Sequence, residues 1–165
     1  MTEPSEGPGF TVAEVDVEVV RPLRHRHLRP DQPESAVAYQ SDDCETCRHF
    51  AARDADGTVI GVGTSHHGDR VAGQPPFGSP GVRIRGVAVE DEWRGKGVAI
   101  AIIEAMLDAA VEEGMVEVWA NARTALRSFY TRVGFAEVSQ EFDLPTLGEH
   151  VVVSMNLAKW AKKAR

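Results

Sequence analysis

The stretch from Val82 to Ile100, VRIRGVAVEDEWRGKGVAI, constrains the fold of this chain more than any other. VRIRGVAV reads as a strand, and Gly86 inside it marks a bulge or a close backbone approach. EDEWRGKG follows as a turn. From Gly97 to Glu113, Val98, Ala99, Ile102, Ile103, Met106, Ala109 and Ala110 recur at helical spacing, and Gly114 stops the helix. The unit is strand, turn, helix, and its helix opens on glycines. A helix N-terminus presents unpaired N–H groups and a partial positive charge. Glycine lets an anion come close to that backbone, and Arg94 and Lys96 add charge. The physical reading is a phosphate or pyrophosphate cradle; the plainer one is a turn that uses glycine only to enter a helix.

Three cradle patterns can be compared with WRGKGVAI. A Walker A loop needs Ser or Thr after Gly-Lys to hold magnesium, and here Gly97 follows Lys96. A dinucleotide fingerprint needs a third glycine where Ile100 stands, and it opens its fold, whereas this turn follows several strands. The third pattern is Arg or Gln, two residues, Gly, one residue, then Gly or Ala. Arg94, Gly97 and Ala99 match it.

The elements around the cradle give a mixed α+β order. Residues 1–13 read as a disordered leader rich in acid, proline and glycine. EVDVEVVR, residues 14–21, alternates like a strand. Arg48 to Arg53 and Thr58 to His66 read as a hairpin turned by Asp-Ala-Asp-Gly. Residues 67–81 form a long Gly/Pro loop. Met115 to Ala120 reads as a strand. Thr124 is a candidate N-cap for a short helix that carries Leu126, Phe129, Tyr130 and Val133 on one face. Two last strands, Phe135 to Phe142 and Val151 to Leu157, are joined by DLPTLGEH. The expected domain spans 14–157, and 158–165 is a basic tail with a frayed end.

At 165 residues with 42% hydrophobic and 26% charged content, one soluble globular domain is expected. A net charge of −7 argues against a general nucleic-acid binder. No apolar run approaches the ~20 residues of a membrane span, and the N-terminus lacks a secretory pattern, so a cytoplasmic location is expected. Cys44 and Cys47 form Cys-x-x-Cys with His49 nearby. Zinc would need four ligands, and no second Cys-x-x-Cys exists to join His49, His66 and His67. A redox pair should open a helix, yet this one precedes a strand. Two thiols on a polar loop is the third reading, and no metal is expected.

Over residues 84–135 the chain resembles the core of the GNAT superfamily of N-acetyltransferases. The resemblance rests on the Gly-Val-Ala-Val strand, the Arg94/Gly97/Ala99 cradle, Asn121-Ala122-Arg123, and Phe129-Tyr130 followed by Gly134-Phe135. The end, FDLPTLGEHVVVSMNL, is similar to small bacterial members, including the ElaA-like branch. The implied fold is a mixed, mostly antiparallel central sheet of about six to seven strands flanked by helices. The implied co-substrate is acetyl-CoA, with its pantetheine arm along the backbone of Val87, Ala88 and Val89. Amides across Gly95, Lys96, Gly97, Val98, Ala99 and Ile100 would hold its pyrophosphate. An amine of a small molecule or peptide would attack directly in a ternary complex, and such folds often pair as homodimers. A non-catalytic acyl-CoA sensor on the same fold is the alternative.

The chemistry makes three demands. An amine of ordinary pKa ~10.4 must lose a proton before it attacks. The thioester oxygen needs a donor, which backbone N–H near Val89 would supply. The leaving thiolate needs an acid or a hydrogen-bond donor. By the resemblance Tyr130 reaches the sulfur; read without it, Tyr130 packs on its helix face. Asn121, where a family member holds a water or the cofactor, and His150 at the last hairpin are weaker candidates. Glu90, Glu117, His66 and His67 read more readily as ordinary strand-end groups, and Arg123 either pairs with a CoA phosphate or merely begins a helix.

Overall fold

The computed structural model describes residues 5–7, 9–68 and 81–163. By contact the chain divides into two compact units, Met1–His66 with Ile84–Ala109, and His67–Arg83 with Ala110–Arg165. The first unit holds β1 (Ser5–Gly7), β2 (Phe10–Val15), α1 (Val17–Leu28), two 3-10 turns (Glu34–Val37 and Gln40–Asp43), β3 (Arg48–Asp54) and β4 (Val59–His67, up to His66). It also holds β5 (Gly81–Val89) from Ile84 onward, a 3-10 turn (Asp91–Trp93) and most of α2 (Val98–Glu112). Its strand order follows the chain, β1-β2-β3-β4-β5. The first three pairings are antiparallel. At the far end of β4, Glu90 N donates to Ile60 O at 2.9 Å.

Two helices cover this sheet. α1 buries Val20 and Leu23 against Ala51, Val62 and Ala88. α2 lies close over β4 because Gly61 carries no side chain: a Cβ there would stand 2.6 Å from Val98 and 3.0 Å from Ile102. Val98, Ile102, Ile103, Met106 and Leu107 are all buried. The helix that opens at the cradle is thereby clamped along its apolar face, and its N-terminal turn is held in place.

The second unit contains the first residues of β5, then β6 (Glu117–Arg123), a 3-10 turn (Thr124–Leu126), α3 (Arg127–Val133), β7 (Ala136–Glu137), β8 (Phe142–Leu144), β9 (Gly148–Asn156) and α4 (Leu157–Lys163). β5 runs parallel to β6 from Gly81↔Glu117 to Arg83↔Trp119, and β6 pairs antiparallel with β9 along its length. β7 and β8 pair with opposite ends of β9. The architecture is the expected mixed, mostly antiparallel α+β fold. Among the described residues the strand count rises to nine through the short β1, β7 and β8.

Several boundaries differ from the sequence reading. The leader of residues 1–13 is not disordered throughout: residues 5–7 and 10–13 lie in β1 and β2, and β2 pairs with β3 from Phe10↔Asp54 to Val15↔His49. EVDVEVVR is not one strand. It ends β2 at Val15, and a helix starts at Val17 with Asp16 at its cap position. The alternating valines suit either state; packing of Val20 and Leu23, three apart on one helix face, settles it for helix despite Pro22 and its missing N–H. Thr124 is not a cap: Arg123 precedes the 3-10 turn, and Leu126 precedes α3. The segment 135–142 breaks into β7 and β8 instead of forming one strand. The basic tail is helical through Lys163, anchored by buried Leu157 and Trp160 and by Leu157 N donating to Val116 O at 2.9 Å. Burial of Leu157 alone is worth about 1.5–3 kcal/mol. Most of the Gly/Pro loop, residues 69–80, lies outside the described residues.

Candidate functional site

The cradle forms from two pieces of the first unit. Among the described residues the register of β5 with β6 stops at Arg83↔Trp119, so Ile84 to Val89 keep β4 alone as a strand neighbour. Gly86 breaks the extended backbone with φ +65°. A Cβ there would meet Arg24 Nε at 2.9 Å and the Tyr39 ring at 3.2 Å, so both conformation and space require glycine. Val87, Ala88 and Val89 follow; Ala88 is buried and its two neighbours are half-buried.

The turn then runs through Gly95 and Gly97, at φ +75° and +85°. A Cβ at either position would meet nothing within 4 Å, so these glycines serve backbone conformation and not close packing. The first intrahelical bond of α2 is Ala101 N to Gly97 O, at 3.0 Å. The amides of Val98, Ala99 and Ile100 therefore precede the helix's own ladder, and Gly97 offers no side chain to cap them. No acidic residue stands in that first turn. Arg94 and Lys96 are exposed. Arg94 pairs with Asp91 at 3.2 Å, and the Lys96 ammonium lies 5.2 Å from the Trp93 ring centre. Phe10 meets Trp93 edge-on and ties β2 to the turn. Backbone, with two flanking cations, can receive an anion here. The residues fit a pyrophosphate.

The remaining expected residues sit in the second unit. Tyr130 is buried in α3 between Phe129 and Phe135, with both rings edge-on. Burial pushes its hydroxyl pKa up to about 12. Asn121 is half-buried on β6, opposite Val152 of β9. His150 is buried on β9 beside Phe142, and its Nδ1 stands 2.8 Å from Gly148 O, a carbonyl to which Nδ1–H donates.

The carboxylates of the sequence reading are already engaged. Glu90 accepts from His27 Nε2 at 2.6 Å and pairs with Arg26 at 3.1 Å. Glu117 is buried and accepts the Ser154 hydroxyl. His67 Nε2 meets Glu113 at 2.5 Å, and Arg123 is exposed.

A cluster that sequence reading missed lies behind Gly86. Arg24, fully buried on α1, donates to both oxygens of Asp42 (2.8 and 3.0 Å), to Thr64 Oγ1 (2.5 Å) and to Val37 O (2.9 Å). Burial alone would raise the Asp42 pKa; the Arg24 hydrogen bonds and charge, with the Tyr39 amide, outweigh it and hold it below the usual value. His49 Nδ1 meets Thr64 Oγ1 at 2.8 Å, and its Nε2 faces Asp42 O. A carbonyl can only accept, so the proton sits on Nε2 and the Thr64 hydroxyl donates to Nδ1. Burial keeps His49 neutral by lowering its pKa, although Asp42 pulls the other way. The Tyr39 ring is flanked by Arg24 (4.1 Å) and Arg85 (3.9 Å). The members of this cluster come from six separate elements, so no spacing could announce it. The one hint was Arg85 beside Gly86 on a strand otherwise apolar after Ile84.

Cys44 and Cys47 close a turn, Cys47 N donating to Cys44 O at 3.1 Å, and both are free thiols. Donor atoms of Asp42, Cys47 and His49 lie within 4.8 Å of one another. The set is ill suited to zinc. Arg24 occupies both Asp42 oxygens, and burial, then the neighbouring Cys44 and Asp42, push the Cys47 thiol up to about 12, against the thiolate a metal requires.

A mixed sheet, a stretch of strand paired on one side only among the described residues, and a glycine turn opening a clamped helix define a class. The chain matches the model of the acetyltransferase (GNAT) family over residues 13–135 and belongs to that family, as an enzyme of acetyl transfer. It is 29% identical over 147 residues to the uncharacterized N-acetyltransferase YitI of Bacillus subtilis (strain 168), covering 88% of this chain and 95% of that one. Its fold is shared with the ribosomal-protein-S18-alanine N-acetyltransferase from Escherichia coli (TM-score 0.68, 15% identity, 90% and 94% of the two chains). A GCN5-related N-acetyltransferase from Kribbella flavida shares it too (TM-score 0.66, 19% identity, 90% and 98%). No helix among the described residues is long and apolar enough to cross a membrane.

Proposed function

We propose that acetyl-CoA is the acetyl donor, with its pantetheine arm along Val87, Ala88 and Val89 and its pyrophosphate on the amides from Gly95 to Ile100. The observation that carries this is the pair of positive-φ glycines opening α2 onto three amides that have no place in the helix ladder. Arg94 and Lys96 act from the solvent side as screened charges, so the backbone supplies most of the hold.

When bound, acetyl-CoA supplies an activated acyl carbon. The N–H groups of the Val87–Val89 stretch stabilise charge on the thioester oxygen. Tyr130 is the proposed hydrogen-bond donor to the departing sulfur. An ordinary thiol has a pKa of ~8.5. With its own pKa up at about 12, Tyr130 stays protonated at neutral pH. A full transfer from it to such a thiolate would run uphill by roughly 5 kcal/mol, so Tyr130 donates a hydrogen bond and keeps its proton. His150, whose Nδ1–H is spent on Gly148 O, has Nε2 as its basic nitrogen and is the proposed acceptor of the amine proton, through a water held at Asn121. A cytoplasmic setting is proposed as well, and the two free thiols fit a reducing compartment. Release of free thiol from acetyl-CoA, followed across a panel of amines, tests the activity. Amine-dependent release is expected, and binding without release contradicts it.

A further inference from the structure

Behind Gly86, two guanidinium groups, those of Arg24 and Arg21, meet the Asp42 carboxylate, and two more, those of Arg29 and Arg85, lie against the Tyr39 ring. Asp42 gives both oxygens to Arg24, and Arg21 Nη2 stands 3.6 Å from Oδ2. Arg29 donates to Ala36 O at 2.9 Å, with its Cζ 5.7 Å from the Tyr39 ring centre. Arg85 has the Tyr39 ring against it at 3.9 Å and no hydrogen-bond acceptor among the described residues; its Nε is buried without a partner. The Nε groups of Arg21 and Arg24 also lack acceptors. Burial, countered by Tyr39, holds the Arg85 pKa below the ordinary arginine value, and a guanidinium still stays charged at neutral pH. Asp42 acts on Arg85 only at a distance, its oxygens held by Arg24, so this half-buried cation makes no ion pair of its own among the described residues.

We propose that Arg85 receives the carboxylate of the acceptor, so that the enzyme acetylates amines bearing a carboxylate, amino acids foremost. The inference rests on the placement of acetyl-CoA along Val87–Val89. Tyr39 covers a face of the guanidinium, and the in-plane edge it leaves matches a planar carboxylate bound through two parallel N–H···O bonds. The Gly86 kink turns the chain between Arg85 and Val87. Two residues of strand span roughly 6–7 Å, a distance that an amino acid bridges from carboxylate to amine and on to an acyl carbon. In the reaction the neutral amine forms the N–C bond as the C–S bond breaks. The amine proton leaves to the base, and the thiolate takes a proton from solvent.

The test compares kcat/KM, by thiol release, for amino acids and for their carboxamides, with acetyl-CoA affinity measured on the same full-length protein by calorimetry. The wild type should prefer the acid by about 100-fold, the scale of a charge-assisted bidentate pair. Arg85→Gln should bring the two within a few-fold while acetyl-CoA affinity holds, and Arg85→Lys, which keeps charge without the fork, should fall between. A residue that merely supported the fold would lower both substrates together. Equal use of acid and amide by the wild type, a preference that survives in Arg85→Gln, or stronger use of an aminoalkyl phosphonate than of the matching carboxylate overturns the proposal. So does acetyl-CoA binding with no release for any amino acid. If the wild type does not bind acetyl-CoA at all, the donor assignment fails first and carries this one with it.

Discussion

Two regions of the first unit meet at Gly86, and they are built in opposite ways. Downstream, the cradle is backbone: its working groups are the amides of Gly95 to Ile100, and its side chains, Arg94 and Lys96, point to solvent. Upstream, the Arg24–Asp42–Thr64–His49 network with Tyr39 and Arg85 is built on side chains, with the Val37 and Asp42 carbonyls and the Tyr39 amide as its backbone partners, and Arg24 is completely buried. A backbone site tolerates change at most positions and fails at its glycines. A buried ionic network fails wherever a partner is removed, because the group left behind is a charge without water.

The sharpest way to break that contrast is Asp42→Ala. Arg24 would be stranded at 0% exposure, and a loss of about 3–5 kcal/mol is expected in chemical denaturation. Replacing Arg94 by Ala, on the cradle side, should change stability by less than about 0.5 kcal/mol. Tyr130→Phe keeps the buried ring and removes the hydroxyl. Turnover at saturating substrates should fall about 100-fold, the scale of one lost hydrogen-bond donor to developing charge, with little change in acetyl-CoA affinity; unchanged turnover would remove Tyr130 from the chemistry.

Gly97→Val adds a β-branched side chain where φ is +85°. The strain should cost about 1–2 kcal/mol of stability. Acetyl-CoA affinity should drop by more than that cost, at least about 30-fold in protein that is still folded, because the amides turn away. An affinity that only tracks the folded fraction would make the glycine a plain helix entry.

The smallest effect is in pH. His49 is held neutral, with its folded-state pKa below the unfolded value of 6.5. Below 6.5 the unfolded chain therefore binds the extra proton first, so stability falls as pH drops from 6.5 toward the folded pKa. Asp42, depressed below 3.8, adds a second loss only under more acid conditions, as pH falls below 3.8. His49→Gln should flatten the first arm and leave the second. Denaturant midpoints between pH 7 and pH 3 separate the two.

The same contrast explains what could be read in advance. The cradle, α2 and the β3–β4 hairpin are local, so spacing of glycines and apolar residues within a short window reveals them. Asp54 even closes its turn on itself, accepting from Asp56 N and Thr58 N. α1 was not legible because Val15, Val17, Val19 and Val20 satisfy both periods, and only packing against Ala51 and Val62 selects helix. Burial of Trp160 holds the tail helical through Lys163, a tertiary fact with no local mark. The arginine network draws on residues as far apart as Arg24 and Thr64, joined only in the fold.

The central claim is that the amides at the start of α2 hold acetyl-CoA. Titration of isotope-labelled protein with acetyl-CoA, followed by amide resonances, tests it directly. The account predicts that Gly95, Gly97, Val98, Ala99 and Ile100 shift most, together with Val87 to Val89. Saturable binding that leaves those amides unmoved would contradict it.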